Sequence, residues 1–115
     1  MQVPAGSGFA GYVWQGLEGG WSASGPNWGA RDGKFGVWGH ADTGFKCVPG
    51  RWHKVTLRID VANQTWEFYV DDQHFESPKP LPFRTKVQFL DTINFLVEGG
   101  VYIDDLRVTR LPGPE

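Results

Sequence analysis

The 115-residue chain has a formal net charge of -2, with 21% charged, 40% hydrophobic and 15% aromatic residues. Its Lys and Arg are scattered rather than clustered, which argues against nucleic acid as a partner. No run approaches the roughly 20 apolar residues of a membrane-spanning helix, and aromatic enrichment of this size argues against disorder. The single cysteine, Cys47, excludes an intrachain disulfide and reads as a small buried hydrophobe. Met1 to Gly8 has neither a basic region nor an apolar run and does not read as a signal peptide. Abundant Gly and Pro beside the aromatics favour short strands joined by tight turns.

Along the chain, Gly8 to Trp14 reads as a strand with small residues interleaved. Gly16 to Gly33 reads as loop, with Trp21 and Trp28 embedded in it. Lys34 to Gly39 is a short aromatic strand, Ala41 to Gly44 a turn, and Phe45 to Val48 a further strand that ends at Pro49-Gly50. The clearest pattern follows. Val55, Leu57 and Ile59 alternate with polar residues, and so do Trp66, Phe68 and Val70, across a short polar connection at 61–64. A period of two on both sides of a turn predicts a β-hairpin with one dry face. Asp71-Asp72-Gln73 predicts a second tight turn, leading into His74 to Glu76. Pro78, Pro80 and Pro82 then interrupt pairing, because Pro donates no ladder hydrogen bond. One or two strands are expected over 87–90 and 93–97, and a closing strand over Val101 to Val108. The alternation of that last strand slips at Asp104-Asp105, as it does at a β-bulge. The pattern predicts one domain over residues 1–110 and a tail over 111–115, with no helical period anywhere.

Three stretches carry a resemblance: Gly50-Arg51-Trp52-His53-Lys54-Val55, the hairpin Asn63 to Asp72, and Tyr102-Ile103-Asp104-Asp105-Leu106-Arg107-Val108. Together they resemble the C-terminal half of the concanavalin A-like lectin/glucanase superfamily, in particular LamG-like domains. The resemblance implies an all-β antiparallel sandwich of jelly-roll type and a secreted or cell-surface setting. Asp72 and Gln73 stand where that family more often has Gly. A complete jelly roll of the superfamily is longer than this chain, and its first strands have no counterpart here. Exposed edge strands invite pairing, so a homodimer formed through them is expected.

Glucanases of the superfamily share a Glu-x-Asp-x-x-Glu strand, whose carboxylates act as nucleophile and acid. This chain lacks the pattern, and Glu67 with Asp71 is its nearest approximation, so no catalytic residues are assigned. The His residues, His40, His53 and His74, have no metal-ligand spacing. Asp104 and Asp105 are the candidate ligands of a structural calcium ion, with Asp60, Asp42 or loop carbonyls needed to complete its shell. Similar Ile-Asp-Asp strands in β-sandwich carbohydrate-binding modules contribute to such a site. A pyranose presents an apolar C–H face on which an aromatic ring stacks, while polar side chains hold its hydroxyls. Trp21, Trp28 and Trp38 are therefore the stacking candidates, with Asn27, Arg31 and His40, and beside them Asp32 and Asp42, as polar partners. Trp52 and Trp66 are assigned to the core. The expectation is a non-catalytic, lectin-like glycan-binding domain; the alternative is a structural or protein-interaction LamG-like domain of a larger protein.

Overall fold

Alternating apolar residues build the best-defined unit of the structure, a computed structural model that describes residues 1–16, 20–38 and 42–109, with Gly20 and Trp21 described by backbone alone. Strands β4 (Val55–Asp60) and β5 (Thr65–Val70) pair antiparallel, setting Val55 opposite Val70, Leu57 opposite Phe68 and Ile59 opposite Trp66. Directly opposite residues share a face, so these six side chains form one apolar layer. Trp66, Phe68 and Val70 are buried and the three on β4 are half-buried. Asp71 and Asp72 both take positive φ, 50° and 66°, as a two-residue type I′ turn requires. That turn leads into β6 (Gln73–His74). On the same edge of β5, β7 (Leu81–Pro82) pairs with Thr65 and Trp66. Pro82 is tolerated there because the strand is an edge, and its carbonyl accepts the Trp66 Nε1–H at 3.1 Å.

A second antiparallel sheet has the order β3-β2-β1-β8, where β1 is Gly8–Trp14, β2 is Ser24–Arg31, β3 is Lys34–Val37 and β8 is Thr92–Glu98. A short 3-10 turn, Gly20–Ala23, precedes β2. The two sheets share one core. Phe9, Trp28, Ala30, Phe35 and Val37 come from this long sheet, and Trp66, Phe68 and Val70 from the hairpin sheet. Ring centroids of Trp28 and Phe68 are 5.9 Å apart. The fold is thus all-β, two antiparallel sheets face to face, with no α-helix among the described residues.

Entry into β4 is pinned by His53, which is buried. Its Nε2 accepts the Val48 N–H at 3.1 Å, so Nδ1 carries the proton and donates to Asp71 at 2.8 Å. The other Asp71 oxygen accepts the Lys54 N–H. Burial pushes the Asp71 carboxyl up, but the hydrogen bonds from His53 and Lys54 and the Arg51 charge more than offset it and leave it below its ordinary value. Since His53 takes the inward position, its neighbour Trp52 must face out. It is half-exposed, at 52%, against the expectation that it fills the core.

Other expectations are also corrected. The segment read as loop, 16–33, contains β2, with Trp28 in mid-strand. Within β2 the glycines answer to close approach, while Gly33, at positive φ, serves the β2–β3 turn. A Cβ on Gly29 would sit 2.3 Å from the Phe9 carbonyl oxygen, and one on Gly11 would sit 2.8 Å from the Trp28 ring. β3 ends at Val37, short of Gly39. The strand expected at 45–48 is a single bridge, Lys46 to Lys34. Residues 87–90 form no strand; Val87 instead turns inward, its N–H bound to Gln64. The closing strand at 101–108 is reduced to a bridge between Tyr102 and Gln2. Beyond it, Asp105 is left-handed (φ 57°), Asp104 binds the Asp105 N–H and no strand continues, so the slip in alternation marks the end of pairing and not a bulge. The expected tail, 111–115, lies outside the described residues.

Candidate functional site

Antiparallel register orders the outer face of the long sheet into cross-strand rows. Phe9, Ala30 and Phe35 face the core, so Ala10, Gly29 and Gly36, which adjoin them in sequence and oppose one another across the strands, face outward. With Leu96 opposite Ala10, this row is nearly bare of side chains over its first three strands. On one side of it stands a row of Trp38, Asn27, Tyr12 and Asn94: Tyr12 is opposite both Asn27 and Asn94, and Trp38 N–H donates to Asn27 O at 2.7 Å. On the other side stand Lys34 and Arg31, opposite each other, and Glu98, which Arg31 reaches at 2.9 Å across Gly8. The bare row is the floor of an open groove of about 650 Å³, with Asp42 at its rim.

Its walls are preorganised. Asn27 Nδ2 donates to Gly11 O at 3.1 Å, which fixes the amide plane. The Arg84 guanidinium lies 4.7 Å from the Trp38 ring centroid, a cation–π contact that holds the indole while 42% of the residue stays exposed. Burial pushes the Tyr12 phenol above its ordinary value, with the Arg84 charge and a hydrogen bond to Asn27 opposing, so it remains a neutral hydroxyl. Lys34 lies 3.9 Å from Asp42, whose carboxylate accepts the Gly44 N–H. A second cavity, lined by Pro4–Ser7 and Asp32-Gly33, has only about 50 Å³, too small for a sugar ring.

Of the residues singled out from the sequence, the groove gathers Trp38, Asn27, Arg31 and Asp42, with Asp32 at its end in the β2–β3 turn. Trp28 is corrected: it points the other way, 7% exposed, edge-on to Phe9 at 5.1 Å, and offers no ring to a ligand. The Trp21 side chain and His40 lie outside what is described. Lys34, Tyr12, Arg84 and the Ala10-Gly29-Gly36 floor were not anticipated. Recognising β2 as a strand would have exposed them, since Asn27, Gly29 and Arg31 alternate with the inward Trp28 and Ala30.

The remaining candidates hold local structure. Asp104 caps the Asp105 N–H and Asp105 binds Arg107 at 2.9 Å. Asp60 is tied to Asn63 in the β4–β5 turn. Calcium takes six to eight oxygens; among the described residues no group of three or more His, Cys, Asp or Glu is placed to hold a metal ion. Glu67 contacts Tyr69 and His74, each at 3.2 Å, whereas Asp71 belongs to the His53 network; the two carboxylates serve separate structures. Burial raises the Cys47 thiol above its ordinary value, which makes it a poor nucleophile. No family model, curated protein or solved structure matches the chain.

Proposed function

We propose that this domain binds carbohydrate without cleaving it, in the groove on the outer face of the long sheet. One observation carries the reading: a half-exposed Trp38 stands beside a nearly bare floor and across from Arg31 and Lys34. A sugar ring needs a flat apolar partner, clearance for its thickness, and polar groups at its edge. Trp38 supplies the first, the Ala10-Gly29-Gly36 row the second, and Asn27, Arg31, Lys34 and Asp42 the third. Kinship with concanavalin A-like lectins, and a jelly-roll connection of the strands, belong to the same proposal; two antiparallel sheets around one core support it.

The test is a glycan array probed with the folded chain, followed by titration of any hit with tryptophan fluorescence as readout. A shift in tryptophan emission that disappears in Trp38→Phe is expected, and Arg31→Ala is expected to weaken binding roughly tenfold, about 1.4 kcal/mol. An array without hits would overturn the sugar reading. It would favour the second one, an interaction domain of LamG-like type, whose support is the set of exposed apolar residues Ile103, Leu106 and Val108 beyond the last sheet contact.

A further inference from the structure

The outer edge of β4 has no strand paired to it among the described residues. Its hydrogen-bonding sense is fixed by its neighbours. Lys54 O accepts from Asp71 on the β5 side, while the His53 N–H points away from β5 and donates to Met1 O. Backbone groups alternate along a strand, so Val55, Leu57 and Ile59 direct their N–H and C=O outward from the sheet edge. The side chains of the same residues face the core and are only half-buried. An edge that exposes both ladder groups and apolar side chains is a template for another strand.

We infer that the occupant is β4 of a second copy of this chain, paired antiparallel about a two-fold axis through Leu57. Independent features select that register. Leu57 meets Leu57 of the second copy, and Val55 meets Ile59, so apolar faces apolar and every outward N–H finds a carbonyl. On the opposite face Arg58 meets Thr56, and Lys54, which reaches Asp72 at 2.9 Å within its own copy, comes opposite Asp60, an opposite-charge pair made twice by the symmetry. Moving the axis to Thr56 would set Ile59 against His53, whose N–H is already bound to Met1. Moving it to Arg58 would set Val55 against Val61 in the turn. β8 also ends its sheet, but a two-fold pairing about Phe95 would place its one charged residue, Glu98, against Thr92 and make no opposite-charge pair. The β4 pairing joins the two hairpin sheets into one continuous sheet and leaves the groove of the long sheet untouched.

Sedimentation of the 115-residue chain from micromolar to millimolar concentration tests this. A dimer is expected. Lys54→Glu, at an exposed position, is expected to weaken it about tenfold by opposing Asp60, and the double variant K54E/D60K to restore it. Circular dichroism melts establish that each variant is folded. Cysteine placement checks the register even where a charge variant is lost. Residues exchanging both bonds have Cα atoms about 5.5 Å apart, within disulfide reach of about 4.4–6.8 Å. Oxidation is therefore expected to link L57C into a covalent dimer and to leave V55C, which faces Ile59, unlinked. Monomer at every concentration would overturn the inference, as would a dimer indifferent to K54E, or equal cross-linking at positions 55 and 57.

Discussion

Strands β2 and β5 each deliver one tryptophan to the same core, by opposite means. Trp66 of β5 is wedged among bulky neighbours, with Ile59 opposite it and Phe68 at 5.9 Å, and its Nε1–H is bound to Pro82. Trp28 of β2 lies against a place where a side chain is missing: its cross-strand partner is Gly11. The outer faces differ in the same way. β5 is filled there by Glu67 and Tyr69, which bond to each other, whereas β2 presents Gly29 between Asn27 and Arg31. The difference teaches that the groove is made by subtraction. The small residues that let Trp28 seat inward are interleaved with those that leave the outer surface clear.

The sharpest break of this comparison is to remove either indole. Trp28→Ala and Trp66→Ala are each expected to cost about 3–5 kcal/mol, read as a fall in the midpoint of chemical unfolding. If β2 were loop, Trp28→Ala would be mild and only Trp66→Ala severe. Next comes the floor. Gly29→Ala forces a methyl against the Phe9 carbonyl, where only backbone movement gives relief, and is expected to cost about 1–3 kcal/mol. The matched change on β5, Glu67→Ala, sits on an exposed face and should stay within about 0.5 kcal/mol.

A smaller effect separates the hairpin sheet from the long sheet by pH. Asp71 is depressed below its ordinary value, so its contribution is present above the unfolded value near 3.9 and is lost as pH falls through the folded one. With 36% of its side chain exposed, solvent screening limits that contribution to about 1 kcal/mol or less. Stability of the wild-type chain should drop below about pH 4. Asp71→Asn should flatten that acid limb, as read by chemical unfolding at pH 3 and 7.

How much of this was legible follows from the same physics. The β4–β5 hairpin announces itself because its inward residues are large and its outward ones polar, which is what period-two patterning detects. β1 was also legible. β2 was not, because patterning registers side-chain volume and here the structure depends on its absence. One local signal did mark it: Asp32-Gly33, with φ of 54° and 75°, is a type I′ hairpin turn joining β2 to β3. Asn27 and Arg31 were chosen from a supposed loop and Trp38 from the short strand expected after it, yet one sheet face brings them together. Asp104-Asp105 misled in the other direction, since a slip in alternation reads the same whether the strand bulges or ends.

Two tryptophans ten residues apart are proposed to have separate duties, Trp28 holding the fold and Trp38 meeting the ligand. Calorimetric titration of Trp38→Ala with the oligosaccharide found on the array, beside its melting curve, tests this most directly. An unchanged melt and no measurable heat of binding are expected. Binding heat equal to that of the wild-type chain would contradict it.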